Sequence, residues 1–265
     1  MQHIIRFVKM HALGNDVVII DRLTQSFFID QQTVRSLGHR RTGIGFDQLL
    51  VLEPPTDLDY DFNYQIYNNN GTHAKQSLNG LRALGHYIHD QGLLKKRLMT
   101  LVTDQKSLSC EVLSHSVAKI TLRTPRDAHY QERLTLSEDI TFDKVYVGND
   151  HLLCWGTPRD QRAGVLQRLK NEGYGLDNFN ISFALFDHDC IQIETYERGV
   201  GKTLSCGSAS IAAVLAHMQH HTLTKNNIRV NTQTGYVTVG ISDQELSLIG
   251  PINRVFRGEF SLRYQ

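Results

Sequence analysis

Short runs in which apolar and polar residues alternate recur along the chain, each bounded by glycine, asparagine or proline. Phe62 to Tyr67 (FNYQIY) and Ile191 to Tyr196 (IQIETY) have the period of two expected of half-buried strands. Ile4 to Met10 predicts a strand, His11 to Asp16 a turn, and Val17 to Asp21 a second strand. A helix is expected over Asp30 to Gly38. A glycine loop and the apolar run Leu49 to Glu53 follow, stopped by Pro54 and Pro55. A second helix, about Asn79 to Asp90, is ended by Gly92. Leu98 to Thr103, Ser107 to Leu113 and Ala118 to Leu122 then predict successive strands.

Beyond Pro125 the order of these signals repeats. Gly148-Asn149-Asp150 echoes Gly14-Asn15-Asp16, and Asn180 stands before an apolar strand as Gln48 does. Ile191 to Tyr196, the polar loop after it and the helix opening near Cys206 match Phe62 to Tyr67, its loop and the helix opening near Ser77. Three ordered matches at nearly constant offset predict an α+β protein of two pseudo-symmetric halves, each a strand-rich sheet around a central helix. The expected bounds are 1–124 and 125–252. The strand-like segment Asn253 to Phe260 would close one half, the first being favoured with 253–265. A ligand site between the halves is the expectation for such a fold.

Composition narrows the class of ligand. The 265 residues carry a net charge of +1 with both signs spread evenly, so neither a nucleic-acid face nor an acidic tail is expected. A small uncharged or zwitterionic partner fits better. The amino terminus lacks a signal-peptide pattern, and no apolar run approaches membrane-spanning length. Cys110, Cys154, Cys190 and Cys206 are far apart, without metal-ligand or C-x-x-C spacing, which points to a reducing, cytoplasmic setting and no metal.

Chemistry concentrates in Glu197 to Ala213 (ERGVGKTLSCGSASIAA), where one cysteine, Cys206, stands at the mouth of a buried helix. Gly199 and Gly201 let the preceding loop turn tightly, and Gly207 and Ser208 open the helix. Unpaired amide donors at such a start bind carboxylates and are expected to lower a thiol's pKa. A buried structural cysteine is the alternative. If Ser77 faces Cys206 across a ligand, the pair has the geometry of stereoinversion, one group removing a proton and the other returning it from the far side. The chain has no glycine-lysine phosphate loop, no strand-coupled G-x-G-x-x-G and no H-E-x-x-H, so the expected chemistry is proton transfer without a cofactor.

The segments MHALGND, GIGFDQLLVLEPP, VYVGNDH, ERGVGKTLSCGS and GPINRVFRGEF resemble diaminopimelate epimerase, in order and over nearly the whole chain. The resemblance implies two similar halves and a cofactor-free thiol/thiolate inversion at one stereocentre of diaminopimelate, on the route to lysine and cell-wall precursors. It makes Cys206 one acid/base, assisted by Glu197 and His151. It gives Asn15, Gln48, Asn68, Asn79, Asn149, Asn180 and Arg198 the substrate's polar groups, and makes Gly207 and Ser208 the helix-start donors. A homodimer is also implied.

Departures from the family pattern cluster in the first half. Where the family reads about Q-C-G-N-G-x-R-C, this chain has Gln76-Ser77-Leu78-Asn79-Gly80-Leu81-Arg82-Ala83, so Ser77 replaces the first catalytic cysteine and Leu78 a glycine. Asn69 and Asn70 replace an Ala-Asp pair, Asp150 a proline, and Ala209 a glycine. The alkoxide of a serine is several units more basic than a thiolate, and His73 or His151 would have to offset that. His73 is expected to be an exposed loop residue.

Three functions compete: an amino-acid epimerase or racemase, with diaminopimelate favoured; a one-base lyase or dehydratase; and a catalytically silent homologue that binds an amino acid or a partner. His217, His220 and His221 are read as dipole-complementing residues at a helix end. Tyr60, Tyr64, Tyr67 and Trp155 are read as sheet packing.

Overall fold

The computed structural model describes residues 2–103, 106–137, 140–222 and 225–263. In chain order the elements are β1 (Gln2–Ala12), β2 (Asn15–Asp21), α1 (Gln31–Gly38), β3 (Gln48–Glu53), β4 (Phe62–Asn68), α2 (Leu78–Asp90), β5 (Leu98–Val102), β6 (Ser107–Ser114) and β7 (Val117–Arg123). They continue with β8 (Ala128–Ser137), β9 (Ile140–Val147), β10 (Asp150–Trp155), α3 (Arg162–Asn171), β11 (Asn180–Asp187), β12 (Cys190–Glu197) and β13 (Gly201–Thr203). The last are α4 (Gly207–His220), β14 (Asn227–Thr232), β15 (Gly235–Ile241), β16 (Glu245–Pro251) and β17 (Asn253–Arg263). The chain divides into two compact units, Met1–Ile120 with Pro251–Gln265, and Thr121–Gly250.

In the first unit β1 lies antiparallel between β17 and β2. The sheet runs on through the parallel pair β2–β3, the antiparallel pair β3–β4, the parallel pair β4–β5 and the antiparallel pair β5–β6. Alternation along the strands gives the sheet two apolar faces. One carries Phe7, Val18, Ile20, Leu49 and Val51 into a cluster with Phe27, Val34 of α1 and Phe46. Against the sheet also packs α2, which touches β1, β2, β3 and β6 and buries Leu81, Leu84 and Ile88 completely. Asp30 caps α1, its carboxylate accepting from Thr33 N–H at 2.7 Å, so the helix begins one residue later than its sequence signal.

The second unit repeats the order. β8, β9 and β10 are antiparallel neighbours, β10–β11 is parallel, β11–β12 antiparallel, β12–β14 parallel, and β14, β15 and β16 antiparallel. The short β13 folds back on β12. Here Phe142, Leu152, Cys154, Ile181 and Phe183 pack with Val165 and Leu169 of α3. The central helix α4 buries Ile211, Ala212, Ala213, Val214 and Ala216, and touches β8, β9, β10, β12 and β15. Small side chains and an apolar sequence suit a helix surrounded by sheet.

Several elements escaped the sequence reading. The segment that forms α3 buries only Val165 and Leu169, too few apolar positions for a helical stripe. β8 is largely exposed, and its register against β9 shifts twice, which breaks the alternation. The strand-like segment at Asn253 is β17, paired along β1. Tyr64 and Tyr67 are buried in the sheet as expected. Trp155 is held by a hydrogen bond from Nε1 to Asp143 at 2.9 Å as well as by packing. Among the described residues no helix is long and apolar enough to cross a membrane.

Candidate active site

In the second unit the expected site residues lie at the ends of neighbouring strands and at the start of α4. The parallel register of β10 and β11 places His151 opposite Asn180. His151 is fully buried, with Nε2 3.5 Å from Asn180 Nδ2. The other edge of the Asn180 amide accepts from the backbone N–H of Arg198 at 2.9 Å, and Arg198 Nη2 reaches Asn149 Oδ1 at 3.4 Å. These four residues form one connected group. Burial pulls His151 down to about 3, so its imidazole is neutral and suited to hydrogen bonding rather than to carrying charge.

Glu197 ends β12, where Gly199 and Gly201, both at positive φ, turn the chain back into β13. Its carboxylate accepts from Thr203 Oγ1 at 2.6 Å and also faces the thiol of Cys206. Cys206 is the N-cap residue of α4, with extended backbone and no side-chain capping bond. Its Sγ is 3.4 Å from Ser208 Oγ.

The expectation that the helix start would lower this thiol's pKa is corrected here. Burial pushes Cys206 well above the ordinary thiol range, and the Glu197 carboxylate pushes it further; the Ser208 hydroxyl and the Ala209 N–H oppose them without prevailing. A helix terminus acts through partial charges, whereas burying an ion removes its whole hydration, so the second effect wins. Cys206 is a thiol at rest.

In the first unit, the register puts Gln48 opposite Val17 on one side and Asn68 on the other. Asn15 donates from Nδ2 to Asp47 Oδ2 at 3.0 Å. Asn68 donates to Thr72 Oγ1 at 3.1 Å. Gln48 Oε1 is buried without a hydrogen-bond partner among the described residues, as is Gln76 Nε2. Such orphaned amide atoms are uncommon in folded proteins.

Ser77 is the N-cap of α2, its Oγ accepting from Gly80 N–H at 3.0 Å. Asn79, in the first turn, is buried, and its Oδ1 accepts from Arg82 Nη2 at 2.6 Å. Leu78 is also buried. Among the described residues the non-glycine positions with positive φ are Leu13, His188 and Asp189, so Leu78 is accommodated without left-handed backbone. His73 is exposed and rests its ring 4.3 Å from that of Tyr67.

Sequence reasoning missed the charged group under Asn15 and Gln48. Arg40 donates to both Asp16 oxygens, at 2.9 and 2.7 Å, and to Asp47 at 2.7 Å, while Lys9 pairs with Asp16 at 2.8 Å. The two cations hold the Asp16 carboxyl at about 2 against the cost of burying it. Burial and the Asp16 charge raise Asp47. The available signal was adjacency, since Asp16 directly follows Asn15 and Asp47 directly precedes Gln48.

Each unit thus carries a helix start among polar side chains, with a buried thiol at one and a capping hydroxyl at the other. Comparison with known proteins identifies the family. The sequence profile described as Diaminopimelate epimerase matches residues 7–122 and 144–255. The diaminopimelate epimerase of Acinetobacter baumannii (strain AYE) is 28% identical over 278 residues, covering 98% of this chain and 99% of its own. That of Blochmanniella floridana is 33% identical over 275 residues, covering 97% and 100%. Among solved structures, a hydroxyproline epimerase from Agrobacterium vitis superposes with a TM-score of 0.75 at 12% identity, covering 98% of this chain and 93% of that one. A phenazine biosynthesis protein of the PhzF family from Enterococcus faecalis gives 0.73 at 9% identity, covering 98% and 100%. Both share the fold. With both halves matched by one profile and a relative above 30% identity along almost its full length, the chain belongs to the diaminopimelate epimerase family.

Proposed function

We propose that this protein moves the α proton of diaminopimelate without a cofactor, with Cys206 as the group that exchanges it. The observation that carries the proposal is the Cys206 environment: a buried thiol at the start of α4, with the Glu197 carboxylate against it. In this reading Glu197 accepts the thiol proton when substrate binds, and the thiolate then removes the proton from carbon. Asn149, Asn180 and Arg198 hold the substrate's polar groups. The Gly207 and Ser208 end of α4 stabilises the charge that develops next to the carboxylate. His151, neutral and in contact with Asn180, orients that amide.

Ser77 takes the role of opposite partner, with Asn15, Gln48, Asn68 and Asn79 as the first unit's contribution to substrate binding. A serine can lend its proton to a carbanion, but the alkoxide left behind is costly, about 1.4 kcal/mol for each unit by which its pKa exceeds that of a thiol. Exchange through Cys206 is therefore expected to outrun inversion. Cytoplasmic location and a homodimer belong to the same reading.

LL-diaminopimelate incubated with the protein in heavy water tests it. Deuterium should enter the α position, seen by proton NMR, faster than the meso isomer accumulates by chiral chromatography. If neither stereoisomer takes up label, the proposal is wrong. One observation favours a second reading, a homologue that binds without turnover: the Ser77 hydroxyl already accepts the Gly80 N–H as a helix cap. Calorimetric binding of diaminopimelate with no exchange would identify that case.

A further inference from the structure

Glu197 is half-buried at the end of β12, while the Cys206 thiol that its carboxylate faces is buried. A carboxylate gains more from water than from a neutral thiol, so one with solvent in reach turns outward unless it is held. One such hold comes from six positions further along the chain, where Thr203 Oγ1 donates to Glu197 Oε1 at 2.6 Å. That is the short distance of a hydroxyl bonded to a charged acceptor.

The register of β12 against β13 explains why the hydroxyl arrives there. Glu197 pairs with Gly201, Tyr196 with Lys202 and Thr195 with Thr203. Side chains alternate across a strand, so Thr195, Glu197 and Thr203 share one face of the hairpin and Glu194, Tyr196 and Lys202 the other. On that other face Lys202 Nζ pairs with Glu194 at 2.8 Å. The same carboxylate accepts from Tyr196 Oη at 3.1 Å and pairs with Arg162 Nη1 of α3 at 3.2 Å. The Glu194 side chain is only 12% exposed, so these are not the screened contacts of an open surface. They pin β13, three residues long, in its register. At 203 a valine would fill the same space and suit a strand as well; what threonine adds is the bond to Glu197.

We infer that Thr203 is a positioning residue for the proton transfer, holding the Glu197 carboxylate against the Cys206 thiol, and that β13, anchored through Lys202, is the arm that delivers its hydroxyl. The inference rests on the proposed role of Glu197 as acceptor of the thiol proton. It deepens that role by naming the residue that keeps the carboxylate in place for it.

Two measurements test it, both on the full chain. The first needs no substrate. The Glu197 charge disfavours thiolate at Cys206, so a released carboxylate should leave the thiol more reactive. At pH 8 iodoacetamide should label Cys206 about threefold faster in Thr203→Val than in the wild type, and Thr203→Ser should label at the wild-type rate. A hairpin that was merely loosened would also expose the thiol, so Thr203→Val is repeated in Glu197→Gln. With no charge to hold, the double variant should label no faster than Glu197→Gln alone. A wild-type rate in Thr203→Val, or effects that multiply in the double variant, would overturn the inference. Should the valine variant not fold, Thr203→Ala must meet the same expectations. The second measurement follows deuterium entering diaminopimelate in heavy water. Thr203→Val should lower the rate at saturating substrate about tenfold with KM little changed, because misplacing an acid/base group costs turnover rather than binding, and Thr203→Ser should recover most of the rate. An unchanged rate in Thr203→Val would overturn the inference. If the wild type exchanges nothing while the labelling results hold, it is the proposed function that fails, and the hold of Thr203 on Glu197 stands.

Discussion

Glu197 holds its carboxylate against the thiol of Cys206, so Glu197→Gln takes away a negative neighbour and leaves the burial in place. The remaining pKa shift should be smaller, and more of the cysteine should be thiolate at any alkaline pH. Iodoacetamide at pH 8, followed by mass spectrometry of the Cys206 peptide, should therefore label the variant faster than the wild type; equal rates would remove Glu197 from the thiol's environment. In the wild type the raised pKa means that thiolate is scarce at neutrality, and its fraction grows about tenfold per pH unit. Because Glu197 takes the thiol proton within the complex, deuterium exchange into substrate should stay nearly flat between pH 7 and 9, and a tenfold rise per unit would show that thiolate formed by the solvent acts instead. The position of Cys206 at a helix start was legible from the glycines and serines around it. Its protonation state was not, because desolvation depends on what β12 and α4 bring together and no local pattern records that. For the same reason the motif that contains Arg82 gave no sign that this side chain is fully buried.

The helix α2 depends on Ser77 in a way that has nothing to do with catalysis. Its hydroxyl satisfies the Gly80 N–H, so Ser77→Ala should cost about 1 kcal/mol of stability in urea unfolding, and Ser77→Gly a few tenths. A thiol is a weaker hydrogen-bond acceptor than a hydroxyl, so a cysteine caps less well. The double change Ser77→Cys with Leu78→Gly is expected to lower stability by more, about 3 kcal/mol or above, because the buried Leu78 side chain is lost together with the cap. It should also raise inversion of diaminopimelate relative to exchange, read in the same heavy-water assay. If stability falls and inversion does not rise, Ser77 is a cap alone. The central elements were legible because β3, β4, α2, β12 and α4 each carry a long apolar pattern with a glycine or a polar cap at an end. The peripheral α3 and β8 were not, since each buries too little to impose a period.

Stability of the whole protein should carry the signature of His151. Its folded pKa lies at about 3, below the ordinary value near 6.5 of an unfolded imidazole. The unfolded chain then binds a proton that the folded chain refuses, and stability present above pH 6.5 is lost as the pH falls toward 3. The slope reaches about 1.4 kcal/mol per pH unit. His217, lowered by burial and by His221 and His220, adds in the same direction. Urea unfolding between pH 6 and 4 should show this decline, and His151→Gln should flatten it by about one proton's worth; a parallel curve in the variant would mean that His151 is not buried as described. Below about pH 4 the depressed carboxyls of Asp16 and Asp143 should extend the loss. The duplicated plan itself was visible from the sequence, because loops, strand starts and helix starts recur at matched spacing in both halves. The carboxy-terminal strand was favoured for the first half, although its sequence would suit an edge of either sheet and names no partner strand; the register shows that strand to be β1.

That pairing has a consequence for how the protein is made. β1 leaves the ribosome well before the strand that lies along it: β17, with Phe256 and Phe260 against the ring of Phe7, is translated only after the entire second unit. The second unit is continuous and can complete itself during synthesis, while one flank of β1 stays bare until β17 has been made. Exposed strand edges invite pairing with other chains. Nascent copies on one messenger are thus most at risk of aggregation through β1, and chaperones would be needed there rather than at the central helices.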